Sequence, residues 1–424
     1  MMKKLSLTAL ALLAAASLAA AAAQEPPLEL TWQDCVAQAA QNNPALKAQK
    51  ATVEQYKYLY RAGFNAYLPS VDISHSVTRS GAQLSSPYDR VSTSLSASQD
   101  LLNLKALSSI RSAKLAYEKA DADYRAESAA LRQTLYTAFI NLVYAQDNLA
   151  TQKKILVIRQ NNSQLVALDY ESGTESKGNM LYSQALTQLS SSSVMQAARS
   201  LESARLDLLS AMGYTDYRPI VAKAELTAPD YTLDASGLKN LVEKVPHIES
   251  QEKSLESLKE RLLGAKYDLY PTLMANGAVG WAGDREFSGG RSWSMGLSLN
   301  LPLFSNGLTY TPNNIKAAGQ AYKSGEASLQ DAKNSLLNNI RDGYNNFLNA
   351  RDNALVNVAV LDADETRYKE SQIQYQAGQM SFIDLETVEQ TLVDAQLNQL
   401  SYYQRANSSL ISLQGLLGFG LEDR

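Results

Sequence analysis

Very little in these 424 residues has the type and spacing that covalent chemistry requires. Cys35 is the single cysteine, so no intrachain disulfide can form. Its setting in WQDCVAQAA suits a small buried apolar side chain better than a reactive thiol. The two histidines, His75 and His247, lie far apart with no cysteine or carboxylate at metal-ligand spacing, which argues against a zinc site. Nucleophile motifs, glycine-rich phosphate loops and paired carboxylates do not stand out. No enzymatic activity, cofactor or metal is therefore expected, and the remaining candidate is electrostatic. Asp384 follows the glycine-containing segment YQAGQMSFI, with Glu386 two residues on. A carboxylate there either caps and solvates a helix start or, with copies gathered around an axis, makes an electronegative constriction that favours cations.

The elements that position this charge occur twice. Pro44 of NNPALKAQK returns as Pro246 of KVPHIESQEK, and Pro69 of AYLPSVDIS as Pro271 of DLYPTLMAN, both displaced by 202 residues. Tyr170, Gly173 and Ser176 match Tyr375, Gly378 and Ser381 at a displacement of 205, which holds to Gly213 and Gly418. Each half is one structural unit of a tandem pair. The difference of about three residues falls in SNGLTYTPNN, whose Gly, Pro and Asn predict a loop that tolerates insertion.

Lys3 and Lys4, an Ala-rich apolar run and the small residues to Ala23 predict a secretory signal peptide over 1–23. After it, no segment approaches the roughly 18–20 apolar residues of a spanning helix, so a membrane can be crossed only by strands. Acidic residues outnumber basic ones, 43 to 39, and this mild excess offers no nucleic-acid footprint.

Helical periodicity dominates. Leu131, Leu135, Ala138, Leu142, Ala145 and Leu149 fall on a three-four spacing. So do Leu385, Val388, Leu392, Ala395, Tyr402, Ala406, Leu413 and Leu416, with Gln399 and Ser409 as polar interruptions. No Pro or Gly interrupts Leu104 to Leu168, so one helix there would reach on the order of 100 Å and needs lateral partners. Turns near 170–178 and 375–383, each with a return segment ending at Gly213 or Gly418, predict long antiparallel helical pairs.

Two stretches alternate instead. Val71, Ile73, His75 and Val77, then Val91, Thr93, Leu95 and Ala97, predict a β-hairpin over 69–100 with a polar loop, RSGAQLSSPYDR. A second hairpin is expected over 271–302, through GDREFSGGR. Alternation alone suits a soluble half-buried sheet or membrane strands of about ten residues. Tyr67, Tyr270, Trp281 and Trp293 lie near strand ends, where an aromatic girdle belongs. Two hairpins give four strands, whereas a closed membrane barrel needs about eight or more and cannot leave an edge in lipid. Several copies must each donate four.

LTWQDCVAQAAQNNPAL, YLPS and YPT before the hairpins, SLNLPLFSNG after the second, and YQAGQMSFIDLETVEQTLVDAQ followed by LLG make the chain resemble the TolC family of outer-membrane efflux proteins. The resemblance covers nearly the whole mature chain. It implies a mainly α fold with a small β part: a homotrimer whose shared twelve-stranded barrel crosses the outer membrane of a Gram-negative bacterium and continues as a long periplasmic α-helical barrel. The domains would be a first repeat over 24–213, an equatorial linker over 214–236, a second repeat over 237–418 and a C-terminal end over 419–424. The implied role is an exit duct for multidrug efflux or type I secretion, with outer-membrane lipid, a periplasmic adaptor and an inner-membrane pump of RND, ABC or MFS type as partners. Adaptor docking would fall at the tips, Tyr170, Gly173, Ser176, Tyr375, Gly378 and Ser381. Family members often carry two acidic residues three apart at the inner end of the tunnel. This chain has Asp384 at the first position but Thr387 at the second, with Glu386 between, and Asn179 at the counterpart of Asp384 in the first repeat.

A secreted coiled-coil scaffold or adhesin is the alternative, and it accounts for the helices but not for two hairpins at equivalent places. The constriction reading predicts that Asp384→Asn alters single-channel conductance and cation preference in planar bilayers; unchanged values would remove that role.

Overall fold

The computed structural model describes residues 28–83, 85–234, 237–285, 289–303 and 307–423; the expected signal peptide lies outside them. The first repeat holds β1 (Leu28–Leu30), α1 (Trp32–Asn42), α2 (Pro44–Gly63), a short 3-10 turn (Phe64–Tyr67), β2 (Ser70–Ala82), β3 (Ser85–Leu102), α3 (Leu104–Ser172) and α4 (Lys177–Met212). After β4 (Ile220–Ala222), the second holds α5 (Leu238–Lys244), α6 (Pro246–Tyr267), β5 (Thr272–Gly283), β6 (Gly290–Asn300), α7 (Tyr310–Gln376) and α8 (Phe382–Leu416). Helix predominates, with a small β part, as expected. No described helix is long and apolar enough to cross a membrane.

Contacts divide the chain into two units that cut across the repeats. One comprises Met1–Asn43, Thr134–Pro229 and Asn349–Ser408; the other comprises Pro44–Gln133, Asp230–Leu348 and Ser409–Arg424. The helices α3, α7 and α8 each contribute to both. In the first unit, Val166, Tyr368, Tyr375, Phe382, Leu385, Val388 and Leu392 form one buried cluster. Each such leucine contributes about 2 kcal/mol by leaving water. Gln399, expected as a polar interruption of the α8 seam, is buried and satisfied: it accepts from Asn357 Nδ2 at 2.9 Å and donates to the Ala354 carbonyl at 3.2 Å. The same unit contains a feature that periodicity did not predict, a parallel pairing of β1 with β4 in the register Leu28↔Ile220 and Leu30↔Ala222. In the second unit, Leu238, Val242, Val245, Ile248, Ile340 and Leu413 form the corresponding cluster.

The second unit also holds the sheet, in the order β2-β3-β5-β6 with every neighbouring pair antiparallel. The first hairpin is tighter than expected. The composition of RSGAQLSSPYDR predicts a loop, yet Arg79↔Asp89, Ser80↔Tyr88 and Ala82↔Ser85 are ladder partners, with a bulge between Ser80 and Ala82 that takes up the register around Gly81 and Pro87. SNGLTYTPNN is likewise only partly loop. The helix α7 begins at Tyr310 and places Pro312 in its first turn, where a missing N–H leaves no hydrogen bond unmade. Residues 305 and 306 of that segment lie outside the described residues.

The repeated glycines end the long helices in the same way. At Gly173, Gly213, Gly378 and Gly418 the backbone is left-handed, with φ of 81°, 89°, 70° and 78°. Each N–H bonds back three residues and the following N–H five residues, for example Gly213 to Ser210 and Tyr214 to Leu209, both at 2.9 Å. This double closure satisfies helix-end carbonyls and favours glycine because a Cβ is strained at positive φ. Gly213 and Gly418 carry a second constraint. A Cβ at Gly213 would meet backbone atoms of Asn42 at 2.8 Å, and one at Gly418 would meet Pro246 Cδ at 2.6 Å. At Gly173 and Gly378 nothing lies within 4 Å. We therefore expect Gly213→Ala to cost roughly 2–4 kcal/mol, strain plus overlap, and Gly173→Ala only about 1 kcal/mol. Unfolding midpoints followed by circular dichroism in detergent measure the difference; equal losses would contradict the contact argument.

Candidate functional site

The two interhelical turns are built from matching caps but present different surfaces. Ser176 opens α4 by accepting the Asn179 N–H at 3.1 Å, and Ser381 opens α8 by accepting the Asp384 N–H at 3.2 Å. Asp384 also accepts from the Ser381 hydroxyl at 2.7 Å. It is therefore engaged in a helix start, and it remains exposed to solvent. Asn179 donates instead to Glu175 Oε1 at 2.8 Å. Gly173, Ser176, Gly378 and Ser381 are exposed, as is Tyr170. Tyr375, the repeat partner of Tyr170, is buried, and its hydroxyl lies 3.0 Å from Asp169 Oδ2 and 3.5 Å from Glu175 Oε2. Burial and these carboxylates push its ionisation well above the usual phenol range.

Behind the turns lies a polar cluster that the sequence reading missed. Arg159 of α3 and Glu389 of α8 are both buried, with Nε 2.7 Å from Oε1. The Arg159 guanidinium also donates to Gln390 Oε1 at 2.8 Å and stands 3.9 Å from Glu386 Oε1. Glu386, expected beside Asp384 at a constriction, thus lies mostly buried on this cluster. Asn162 Nδ2 donates to the other Glu389 oxygen and to the Tyr368 hydroxyl at 3.0 Å, and Gln372 donates to the same hydroxyl at 2.7 Å. Burial raises the Glu389 carboxyl above the ordinary glutamate range against the opposing pull of Arg159, and burial pushes Tyr368 up to about 12. A signal for these residues was present. Arg159 and Asn162 continue a three-four seam between Ile155 and Val166, and Glu389 stands one turn after Leu385.

The other predicted residues are placed as follows. On the sheet, Val71, Ile73 and Val77 of β2 and Trp293, Met295, Leu297 and Leu299 of β6 share one face at 63–85 % exposure. The opposite face is lined with serines, which bond across the strands as Ser74 with Ser94 at 2.7 Å and Ser76 with Ser92 at 2.8 Å. Trp281 and Trp293 lie on the apolar face toward the hairpin ends, in register with Arg291 and Val279 respectively. Tyr67 and Tyr270 lie at the opposite, helix-connected ends; the Tyr67 hydroxyl donates to the Asn103 carbonyl, and Tyr270 packs edge-on to Tyr267 at 5.6 Å. His75 Nδ1 is 2.9 Å from Thr93 Oγ1, His247 bonds Gln251 at 3.2 Å, and the buried thiol of Cys35 is pushed up to about 12 by desolvation. Among the described residues no group of His, Cys, Asp and Glu has the arrangement of a metal site.

Removing one member of the buried pair strands the other charge. Glu389→Ala is expected to cost about 3–5 kcal/mol, while the double replacement Arg159→Met with Glu389→Met stays near the wild type; denaturant midpoints test this. Because Glu389 holds its proton to higher pH in the native state than in the unfolded chain, stability falls as pH rises through that interval. Glu389→Gln should remove that slope.

Comparison with known proteins gives a consistent result. The family model described as "Outer membrane efflux protein" matches residues 35–214 and 238–419, one segment per repeat. The alkaline protease secretion protein AprF of Pseudomonas aeruginosa is 23 % identical over 394 residues, covering 86 % of this chain and 79 % of that one. Among solved structures, CusC superposes with a TM-score of 0.83 at 17 % identity, covering 91 % of each chain. The Campylobacter jejuni CmeC outer membrane channel superposes with a TM-score of 0.80 at 17 % identity, covering 92 % of this chain and 86 % of that one. At such identity the structures establish the fold, and the model spanning both repeats establishes the family. The chain belongs to the outer membrane efflux protein family, whose members are trimeric outer-membrane channels that work with adaptors and inner-membrane pumps.

Proposed function

We propose that three copies of this chain close one twelve-stranded barrel, β6 of each copy pairing with β2 of the next, and that the helical turns receive the adaptor. The protein is an outer-membrane channel that extends into the periplasm, the exit duct of a tripartite export system. The observation that carries the trimer is the four-stranded sheet, with a strongly exposed apolar face and two edges left open among the described residues. Lipid accepts the first and excludes the second, so the edges must meet those of other copies. The serine-lined face then borders a water-filled path. A secreted scaffold or adhesin gives no reason for an exposed apolar sheet face.

The turns suit docking because Gly173 and Gly378 leave open space around a tight reversal, with Tyr170, Ser176 and Ser381 exposed beside them. Tyr375, buried, joins the two turns of one chain instead. Three exposed Asp384 carboxylates gathered near the axis supply a negative ring, to which Asn179 adds no charge. Trp281 and Trp293 mark one membrane boundary, and Tyr67 and Tyr270 the other. The energy for export comes from an inner-membrane pump of RND, ABC or MFS type, and the duct conducts passively.

Membrane fractionation in detergent tests the assembly: a heat-modifiable trimer in the outer-membrane fraction that conducts ions in planar bilayers is expected, and a soluble periplasmic monomer would overturn it. Replacing Gly378 by Trp should abolish export while trimers still assemble. Loss of assembly instead would leave that glycine a turn-making role only.

A further inference from the structure

The apolar face of the sheet carries charge near one end only. Reading across the strands in register, Ile73, Leu95, Val279 and Trp293 form one row, and the next row toward the hairpin ends is His75, Thr93, Trp281 and Arg291. Further out, past Val77 and Val91, Arg79 and Asp89 pair with each other at 3.7 Å. His75 is oriented by Thr93 Oγ1 at 2.9 Å. Arg291 is exposed and belongs to no ion pair among the described residues. At the helix-connected end of the same face the row is Leu102, Leu273 and Leu299, without charge.

The height of Arg291 decides what can meet it. From Leu299 to Arg291 is about 27 Å of strand, on the order of 20 Å along the membrane normal at the tilt usual in barrels. An apolar band of about 25 Å therefore ends close to this row. The hairpin ends lie at the opposite end of the sheet from the helices, so the row faces the outer leaflet. Acyl chains would run over Trp293, Met295, Leu297 and Leu299, and the group they hang from would come near Arg291 and its ladder partner Trp281. A guanidinium matches phosphate oxygens with two parallel N–H donors, imidazole adds a third donor, and the indole of Trp281 favours the boundary between headgroup and chains.

We propose that His75, Trp281 and Arg291 form a binding site for the phosphates of the phosphorylated glycolipid of the outer leaflet. The site rests on the trimeric-duct reading. Within one copy Arg291 lies on β6 and His75 three strands away on β2, about 14 Å across the sheet.

The test uses the full-length trimer in nanodiscs and native mass spectrometry, comparing retention of bis-phosphorylated lipid A with that of its dephosphorylated form. The wild type should retain the phosphorylated form preferentially. Arg291→Gln should weaken that retention by roughly fivefold and His75→Gln, which removes one donor, by less, while Arg90→Gln on the serine-lined face leaves it unchanged. Equal retention of the two lipids by the wild type overturns the site without recourse to any variant, as does a double variant that behaves like the wild type. A conducting trimer without lipid discrimination defeats this inference alone; absence of a trimer defeats the duct reading and the site with it.

Discussion

Peptide N–H and C=O groups along the outer edges of β2 and β6 find no partner strand among the described residues, and hydrocarbon offers them no water. Each unpaired group would cost several kcal/mol in lipid, so this backbone constraint governs what the sheet can be. It fits a strongly exposed apolar sheet face with no spanning helix among the described residues, and explains why four strands per copy suffice once copies share a barrel. The alternation that gives one apolar and one serine-lined face is the side-chain counterpart of the same requirement.

The helices solve a different problem, that of ending and reversing without unmet carbonyls. Four glycines at matched places make the same left-handed closure, yet they are not equivalent. Gly213 and Gly418 sit where another stretch of backbone approaches so closely that no Cβ fits, whereas Gly173 and Gly378 face open space. The first pair belongs to packing, and the second leaves a surface free for a partner. Duplication thus supplied two copies of one device, and their surroundings divided the work.

The turns diverge further in charge. Asp384 has Asn179 as its repeat counterpart, and Tyr375 is buried where Tyr170 is exposed. Beneath them, the Arg159–Glu389 pair ties helices of the two repeats together with no equivalent at the symmetry-related positions, which hold Asp364 and Gln184. An isolated buried pair of this kind adds little net stability, but its charges find partners only when α3 and α8 lie in one register.

Local signals were readable because they act over a few residues. The absence of Pro and Gly from Leu104 to Leu168 predicted α3, which runs on to Ser172; the glycines located its end and that of α7; and alternation marked both hairpins. The strand count alone implied assembly. The tertiary structure decided which surfaces meet. Three-residue strands such as Leu28–Leu30 and Ile220–Ala222 are too short to show a period, and the extent of the first hairpin depended on a bulge that composition hides. Arg159 and Glu389 lie 230 residues apart, and either side chain read alone looks like a solvated helical charge. Their burial, like that of Tyr375, follows from the packing of distant helices, because the cost of desolvating a charge is set by the neighbours it meets in space.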